Sequence, residues 1–300
     1  MKVSVAYLAV ILIWSTTPLG IVWSSESVHP TLAVLLRMLI ALVIGSLLLI
    51  ALKIKLPRDK NALRLYGYSA IGVFGGMSFS YFSANYISSG LMSLIFGLAP
   101  ILSGLLAQKL INETKFCSIK KFALTISVTG LMIVCYDKIS ADTNGILGII
   151  FILLAVFFFS LSGVLVKSVD ITINPIATTV GALLASTPMF FIVWLVFDAN
   201  LPYQQWQTKS LMAIVYLGVF GSLVGFIAYF YVLQKLTAST VALVTMITPV
   251  MAMTLGAVLN NEPVSLQLLI GAVFVVSGLT CFQWSQKVSM TLAKKRVKRR

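Results

Sequence analysis

Ten stretches of about 20 mostly apolar residues follow one another along the chain, at 4–25, 31–52, 65–85, 88–110, 119–136, 146–167, 176–197, 210–233, 238–259 and 266–285. A helix rises about 1.5 Å per residue, so each run is long enough to cross the roughly 30 Å hydrocarbon core of a bilayer. Inside that core every backbone N–H and C=O must be satisfied within the protein, which favours helices for single apolar segments. The breaks carry turn-forming residues: His29-Pro30, Pro57 to Lys60, Asn174-Pro175, Asn200 to Pro202 and Asn261 to Pro263. The shortest is Ser88-Ser89-Gly90, between the third and fourth runs. The first run lacks a small-residue cleavage site and is too long for a signal-peptide core, so it counts as a helix. A soluble alternative fails on charge. Only 10% of the 300 residues are charged, 8 of them acidic, where a soluble domain carries about 25%. The expected fold is an all-α membrane protein with ten transmembrane helices.

The net charge of +14 does not signal nucleic acid, because the 22 basic residues sit in short clusters between apolar runs. With both termini cytoplasmic, 19 of the 22 fall on the cytoplasmic side, among them Lys53 to Arg64, Lys109 to Lys121 and Lys287 to Arg300. Lys138 and Lys209 fall outside, and Arg37 lies within a run. That bias requires an even number of crossings. The stretch from Lys294 to Arg300 reads as an anchor against anionic lipid. Three cysteines, Cys117, Cys135 and Cys281, have neither metal nor disulfide spacing.

The chain repeats itself. Segment 91–113 aligns with 240–262 at a constant offset of 149, matching Pro100 to Pro249, Asn112 to Asn261 and Glu113 to Glu262. In a chain with nine prolines and eight acids, such matches carry weight. Upstream, Gly72 to Gly75 (GVFG) recurs as Gly218 to Gly221, Trp14-Ser15 pairs with Phe159-Ser160, and Pro30 pairs with Pro175. Two five-helix units follow, 1–137 and 144–285, with 286–300 as a basic tail. Five is odd, so the second unit enters the membrane inverted. Inverted repeats characterise secondary transporters, whose halves exchange roles as a central site opens to either side.

With these residues in hand, the chain resembles the EamA-like family of the drug/metabolite transporter superfamily. The resemblance rests on Trp14-Ser15, the pattern from His29-Pro30-Thr31 to Arg37, the central prolines followed by Asn-Glu, and the duplicated ten-helix plan. It implies a bacterial inner-membrane carrier, often an exporter of amino acids or other small metabolites. It also implies a central cavity built from both halves.

Pro100 and Pro249 lie near the middle of their runs, where each removes a helical hydrogen bond, and they read as hinges or as ordinary kinks. Arg37 is a charge within a span, and such charges default to function. It suits either a substrate anion or a structural brace to backbone carbonyls. The cavity candidates are the aromatics Trp14, Phe96, Phe159 and Tyr229 and the hydroxyls Ser15, Ser160, Thr245 and Thr248. Aromatic packing is the competing reading. Glu113 and Glu262 sit at helix ends and suit capping better than proton carriage. Helices 1, 3, 4, 6, 8 and 9 are expected around the cavity, with 5 and 10 peripheral.

No G-x-x-x-x-G-K-[ST] motif is present, so no ATPase engine is encoded in these residues. The lone histidine, His29, and the lack of acids within the runs give no metal site, no cofactor site and no hydrolase. A membrane enzyme would need a reactive pair at depth. A carrier of phosphorylated or nucleotide-linked sugars would need two or more buried cations, and only Arg37 qualifies. The expected function is therefore export of small amphipathic metabolites such as amino acids, by alternating access.

Overall fold

A computed structural model of the protein describes residues 3–113, 115–141, 143–235 and 244–297, with side chains omitted at 137–141, 143–144, 233, 245–246 and 285–297. Among the described residues there is no strand. Helices α1 (Val3–Ser24), α2 (Pro30–Ala51) and α3 (Lys60–Ser83) are followed by α4 (Ser89–Leu110), which is broken at Gly97 and Leu98. Then come α5 (Ser118–Ala141), α6 (Thr143–Lys167) and α7 (Pro175–Phe197). Helix α8 runs in three pieces, Thr208–Tyr216, Leu217–Val224 and Gly225–Lys235, before α9 (Val244–Asn260) and α10 (Leu266–Val297). Eight of these ten are long and apolar enough to cross a membrane, and α9 adds a shorter apolar stretch, Ile247–Asn260. Helix α3 spans 24 residues but mixes Lys60, Arg64 and several serines and tyrosines into its apolar face.

Local chemistry sets the ends. Pro30 and Pro175 each open a helix at its first turn, where the missing N–H costs nothing. Asp59 and Ser88 cap α3 and α4 by accepting from the backbone N–H groups of Ala62 and Leu91. Among the described residues four non-glycine positions have positive φ, and all four close helices: Lys53, Asn112, Ala199 and Asn261. After Asn112 and Asn261 the Glu113 and Glu262 N–H groups donate back to Ala107 and Gly256 carbonyls, at 3.2 and 3.1 Å. This reverse turn satisfies carbonyls that a helix end would otherwise orphan, and asparagine tolerates the left-handed backbone it needs.

Several boundaries differ from the sequence expectation. The turn between α3 and α4 falls at 84–88, since Ser89 and Gly90 already belong to α4. The expected loop at 137–145 is almost wholly helical, with α5 and α6 separated by one residue. Helix α10 runs on to Val297, through most of the stretch expected as a tail. A helix that leaves the bilayer can continue in water when nothing in the sequence stops it, and 286–297 contains neither proline nor glycine.

The helices pack closely where glycines allow it. Helix α3 lies along α6, with Gly72 against Ser162 and Gly75 against Phe158. Helices α5 and α10 form their own seam, in which Gly130 and Gly271 face each other's carbonyls. The buried core includes Leu32, Met38, Leu94, Ile95, Leu183 and Leu217. The outer surface is apolar too, with Leu12, Leu47, Ile50, Phe122, Val196 and Val273 more than half exposed. Such a belt would aggregate in water and suits contact with lipid.

Candidate functional site

Six helices converge on a central cavity with about 90 Å³ open to the centres of water-sized molecules. Its wall takes Trp14, Thr17 and Ile21 from α1, Met77 and Ser80 from α3, and Ser93 and Phe96 from α4. Phe159 of α6, Gly221 and Phe226 of α8, and Thr248 of α9 complete it, together with one residue from a seventh helix, Arg37 of α2. A smaller pocket of about 30 Å³ adjoins it and shares Met77, Phe159 and Phe226 as the dividing wall. That pocket extends past Ser69, Ser162 and Val166, toward the ends of α3 and α6 that carry Lys60 and Lys167.

Of the aromatic candidates, Trp14, Phe96 and Phe159 line this cavity, while Tyr229 lines the adjoining pocket. Trp14 packs on Phe159 and Tyr229 with ring centroids 5.9 and 5.1 Å apart, and Phe96 packs on Phe159 at 6.0 Å. Edge-to-face and tilted pairs of this kind contribute about 1 kcal/mol each beyond their burial. The hydroxyl candidates divide. Thr248 faces the cavity. Ser15 turns away, its Oγ donating to the Ile11 carbonyl at 2.7 Å. Ser160 donates to the Ala99 carbonyl at 3.2 Å, just past the break in α4. A helical serine can reach a carbonyl one turn back, as Ser15 does, or one on a neighbouring helix, as Ser160 does, and in a dry interior either bond competes well with an empty cavity. The side chain of Thr245 lies outside the described residues. Thr17, Ser80 and Ser93 also line the cavity, Thr17 and Ser80 while donating to the Ile13 and Gly76 carbonyls one turn back, and no spacing separates such hydroxyls from others on the same helices.

The prolines do different things. Pro100 stands in the first turn after the break in α4, half-buried, so the chain has absorbed its lost bond by interrupting the helix. Pro249 is buried inside α9, and its ring approaches the break at Gly97. Pro100 and Pro249 thus both lie beside the interruption in α4.

Arg37 is fully buried. Its Nε donates to Ser222 Oγ at 2.7 Å, while Nη1 and Nη2 have no hydrogen-bond partner among the described residues. Ser222 lies in the segment Leu217–Val224, where α8 opens into wide i→i+5 turns. Such turns are rare in helices and cluster at functional positions. Gly221 lets the guanidinium come close: a Cβ there would sit 3.0 Å from Nη2. The widening was not legible beforehand, since Gly218 to Gly221 matches Gly72 to Gly75 in sequence, yet the earlier copy is regular helix.

The end of the bundle carrying Glu262 is laced by a polar network. The Glu262 carboxylate accepts from Ser89 Oγ at 2.9 Å, from Ser89 N at 3.2 Å and from Gly90 N at 3.3 Å, capping α4 from outside. Asn260 Nδ2 donates to Glu262, and Asn260 Oδ1 accepts from Trp23 Nε1 at 2.8 Å. Lys209 pairs with Glu26 at 2.7 Å and covers the Trp23 ring. Ends of α1, α4, α8 and α9 are thereby tied together. Glu113 is exposed, and Ala238 and Ser239, the residues matching Ser89 and Gly90, lie outside the described residues.

A cavity at the meeting point of several apolar helices, walled by aromatics and one cation, has the character of a small-molecule site and belongs to a polytopic membrane protein. The EamA-like transporter family model matches twice, over residues 1–136 and 146–283. The chain belongs to the EamA-like transporter family. Among its relatives, "Uncharacterized transporter YoaV" of Bacillus subtilis (strain 168) is 23% identical over 280 residues, covering 93% of this chain and 95% of that protein. Protein PagO of Salmonella typhimurium is 25% identical over 288 residues, covering 93% and 91%. A solved crystal structure shares the fold, with a TM-score of 0.67 at 18% identity over 93% of this chain and 96% of that one.

Proposed function

We propose that this transporter is a secondary carrier that exports small amphipathic metabolites such as amino acids by alternating access. The observation carrying this reading is the central cavity, which draws on helices from both halves and combines stacked rings with scattered hydroxyls. An apolar group could stack on Trp14 and Phe159 while its polar end meets hydroxyls and the carbonyls freed at the α4 break. A polyanion would find a single cation there, and each unpaired buried charge costs several kcal/mol.

Two inverted five-helix units, 1–137 and 144–285, would give the carrier its two-faced symmetry. Three features support them. The family model matches twice. The helix pairings are mutual: α3 packs on α6 and α7, as α8 packs on α1 and α2. The four positive-φ residues form two pairs at equivalent helix ends, Lys53 with Ala199 and Asn112 with Asn261. In this reading the protein sits in a bacterial inner membrane with both termini cytoplasmic, and Lys294 to Arg300 contacts anionic lipid. A reporter fused to the C-terminus should be active only as a cytoplasmic fusion; activity outside would overturn the topology.

Reconstituted in liposomes and screened against a metabolite mixture, the carrier should move amino acids or related molecules, and Trp14→Ala should slow transport about tenfold without reducing membrane insertion. Robust uptake of a sugar phosphate, with amino acids inert as competitors, would replace this reading with that of a phosphorylated-sugar antiporter.

A further inference from the structure

We infer that Arg37 is the receptor for the carboxylate of the transported molecule, so that the carrier selects organic monoanions and zwitterions bearing a free carboxylate. The inference rests on the metabolite reading above and narrows it. Arg37 is fully buried, lines the central cavity, and spends only Nε on the protein, through Ser222. Its two terminal nitrogens, the ones that form the fork matching a carboxylate, have no partner among the described residues.

A structural brace would use those nitrogens. An arginine that merely ties helices together satisfies its guanidinium on carbonyls, and a buried ion pair would set an acid against it. Among the described residues neither occurs: the cavity wall contains no carboxylate, and no carbonyl accepts from Nη1 or Nη2. An arginine keeps its charge at physiological pH, so the site holds an uncompensated cation away from water. Leaving it so is costly in a low-dielectric interior, and a ligand anion removes that cost as it binds.

The surroundings set how an anion would meet the guanidinium. Ser222 orients it from the Nε side, and Gly221 lets α8 pass close to Nη2, where any Cβ would crowd it. A Cβ on Gly225, one turn further along α8, would sit 3.9 Å from Trp14 Nε1, so guanidinium and indole flank successive turns of one helix. A carboxylate on Arg37 would therefore carry its hydrocarbon part toward the Trp14–Phe159–Tyr229 rings. One fork neutralises one carboxylate, whereas a phosphate dianion would be left half-paired.

The test compares an acid with its uncharged amide. Wild-type protein in nanodiscs is titrated with phenylacetate and with phenylacetamide, and binding is read by calorimetry. Phenylacetate should bind about 30-fold tighter than the amide, the scale of a charge-assisted pair. In Arg37→Gln the two should bind within about threefold of each other, and Arg37→Lys, which keeps the charge but loses the fork, should fall between. Equal binding of acid and amide to wild type, or no binding of phenylacetate, overturns the inference without any variant having to fold. An undiminished preference in Arg37→Gln overturns it too. Amino-acid transport in liposomes is scored separately. If transport fails while phenylacetate binding depends on Arg37, the exporter reading falls and the anion receptor stands; transport of amides as fast as acids leaves a carrier and removes the receptor.

Discussion

Replacing Glu262 by alanine is expected to open the end of the bundle that its carboxylate now laces together. The change removes the acceptor for Ser89 N, Ser89 Oγ and Gly90 N, and it frees Asn260, which holds Trp23. Charge-assisted bonds contribute about 1.5 kcal/mol or more each, and partial exposure of the site reduces the total to about 3 kcal/mol. If closure is a two-state equilibrium, that energy shifts it about a hundredfold. The measurement is labelling of a cysteine placed at Thr17, in the cavity wall, after Cys117, Cys135 and Cys281 are changed to serine. A membrane-impermeant thiol reagent applied from the Glu262 side should react at least about tenfold faster in Glu262→Ala. Glu262→Gln, which retains an acceptor oxygen without the charge, should show a smaller increase. Unchanged labelling in the alanine variant would mean that the network decorates this end without holding it shut.

Gly130→Ala is expected to be among the most damaging of the single-methyl additions at the helix seams. The new Cβ would lie 2.6 Å from Phe274 Cβ, 2.7 Å from the Gly271 carbonyl oxygen and 2.9 Å from Val275 N. Two of those atoms belong to the backbone of α10, which cannot rotate away as a side chain end can. Relief requires separating α5 from α10 along their shared seam, at a cost of about 3 kcal/mol. Gly67→Ala provides the control, since its Cβ would meet nothing within 4 Å. There the loss of backbone freedom in the unfolded chain should stabilise by about 0.5–1 kcal/mol. Thermal unfolding in detergent should lower the midpoint for the first variant and hold or raise it for the second; equal behaviour would contradict the close packing of α5 on α10.

Much of the candidate site was legible before any fold was known. Trp14, Phe96, Phe159 and Tyr229 stand out as large aromatics at middle positions of apolar runs, and they meet in one group because those runs cross at similar depth. Arg37 is conspicuous as a charge within a span, but its role turns on which of its nitrogens find partners, and that depends on atoms from α8, 185 positions away. Ser15 and Ser160 show the limit. A helical periodicity places a serine on a face, while the choice between a carbonyl on its own helix or a neighbour's and an open cavity is made by the local competition for hydrogen bonds. The widened turns of Leu217–Val224 show it again, for a GVFG segment is regular helix in α3 and not in α8.

What the sequence determined by itself is whatever the bilayer as solvent imposes on one segment at a time. Run lengths of about 20 apolar residues dictate helices, because unpaired backbone cannot remain in hydrocarbon. Asn112 and Asn261 dictate helix ends, because asparagine accepts the left-handed turn that closes them. Tertiary structure alone decided the pairings between segments. Gly130 meets Gly271, Glu262 caps α4, and among the described residues Arg37 keeps two nitrogens free above Gly221. In lipid there is little hydrophobic force to sort one apolar helix from another. Steric fit and a few buried polar contacts must do so, and those exist only once the helices have met.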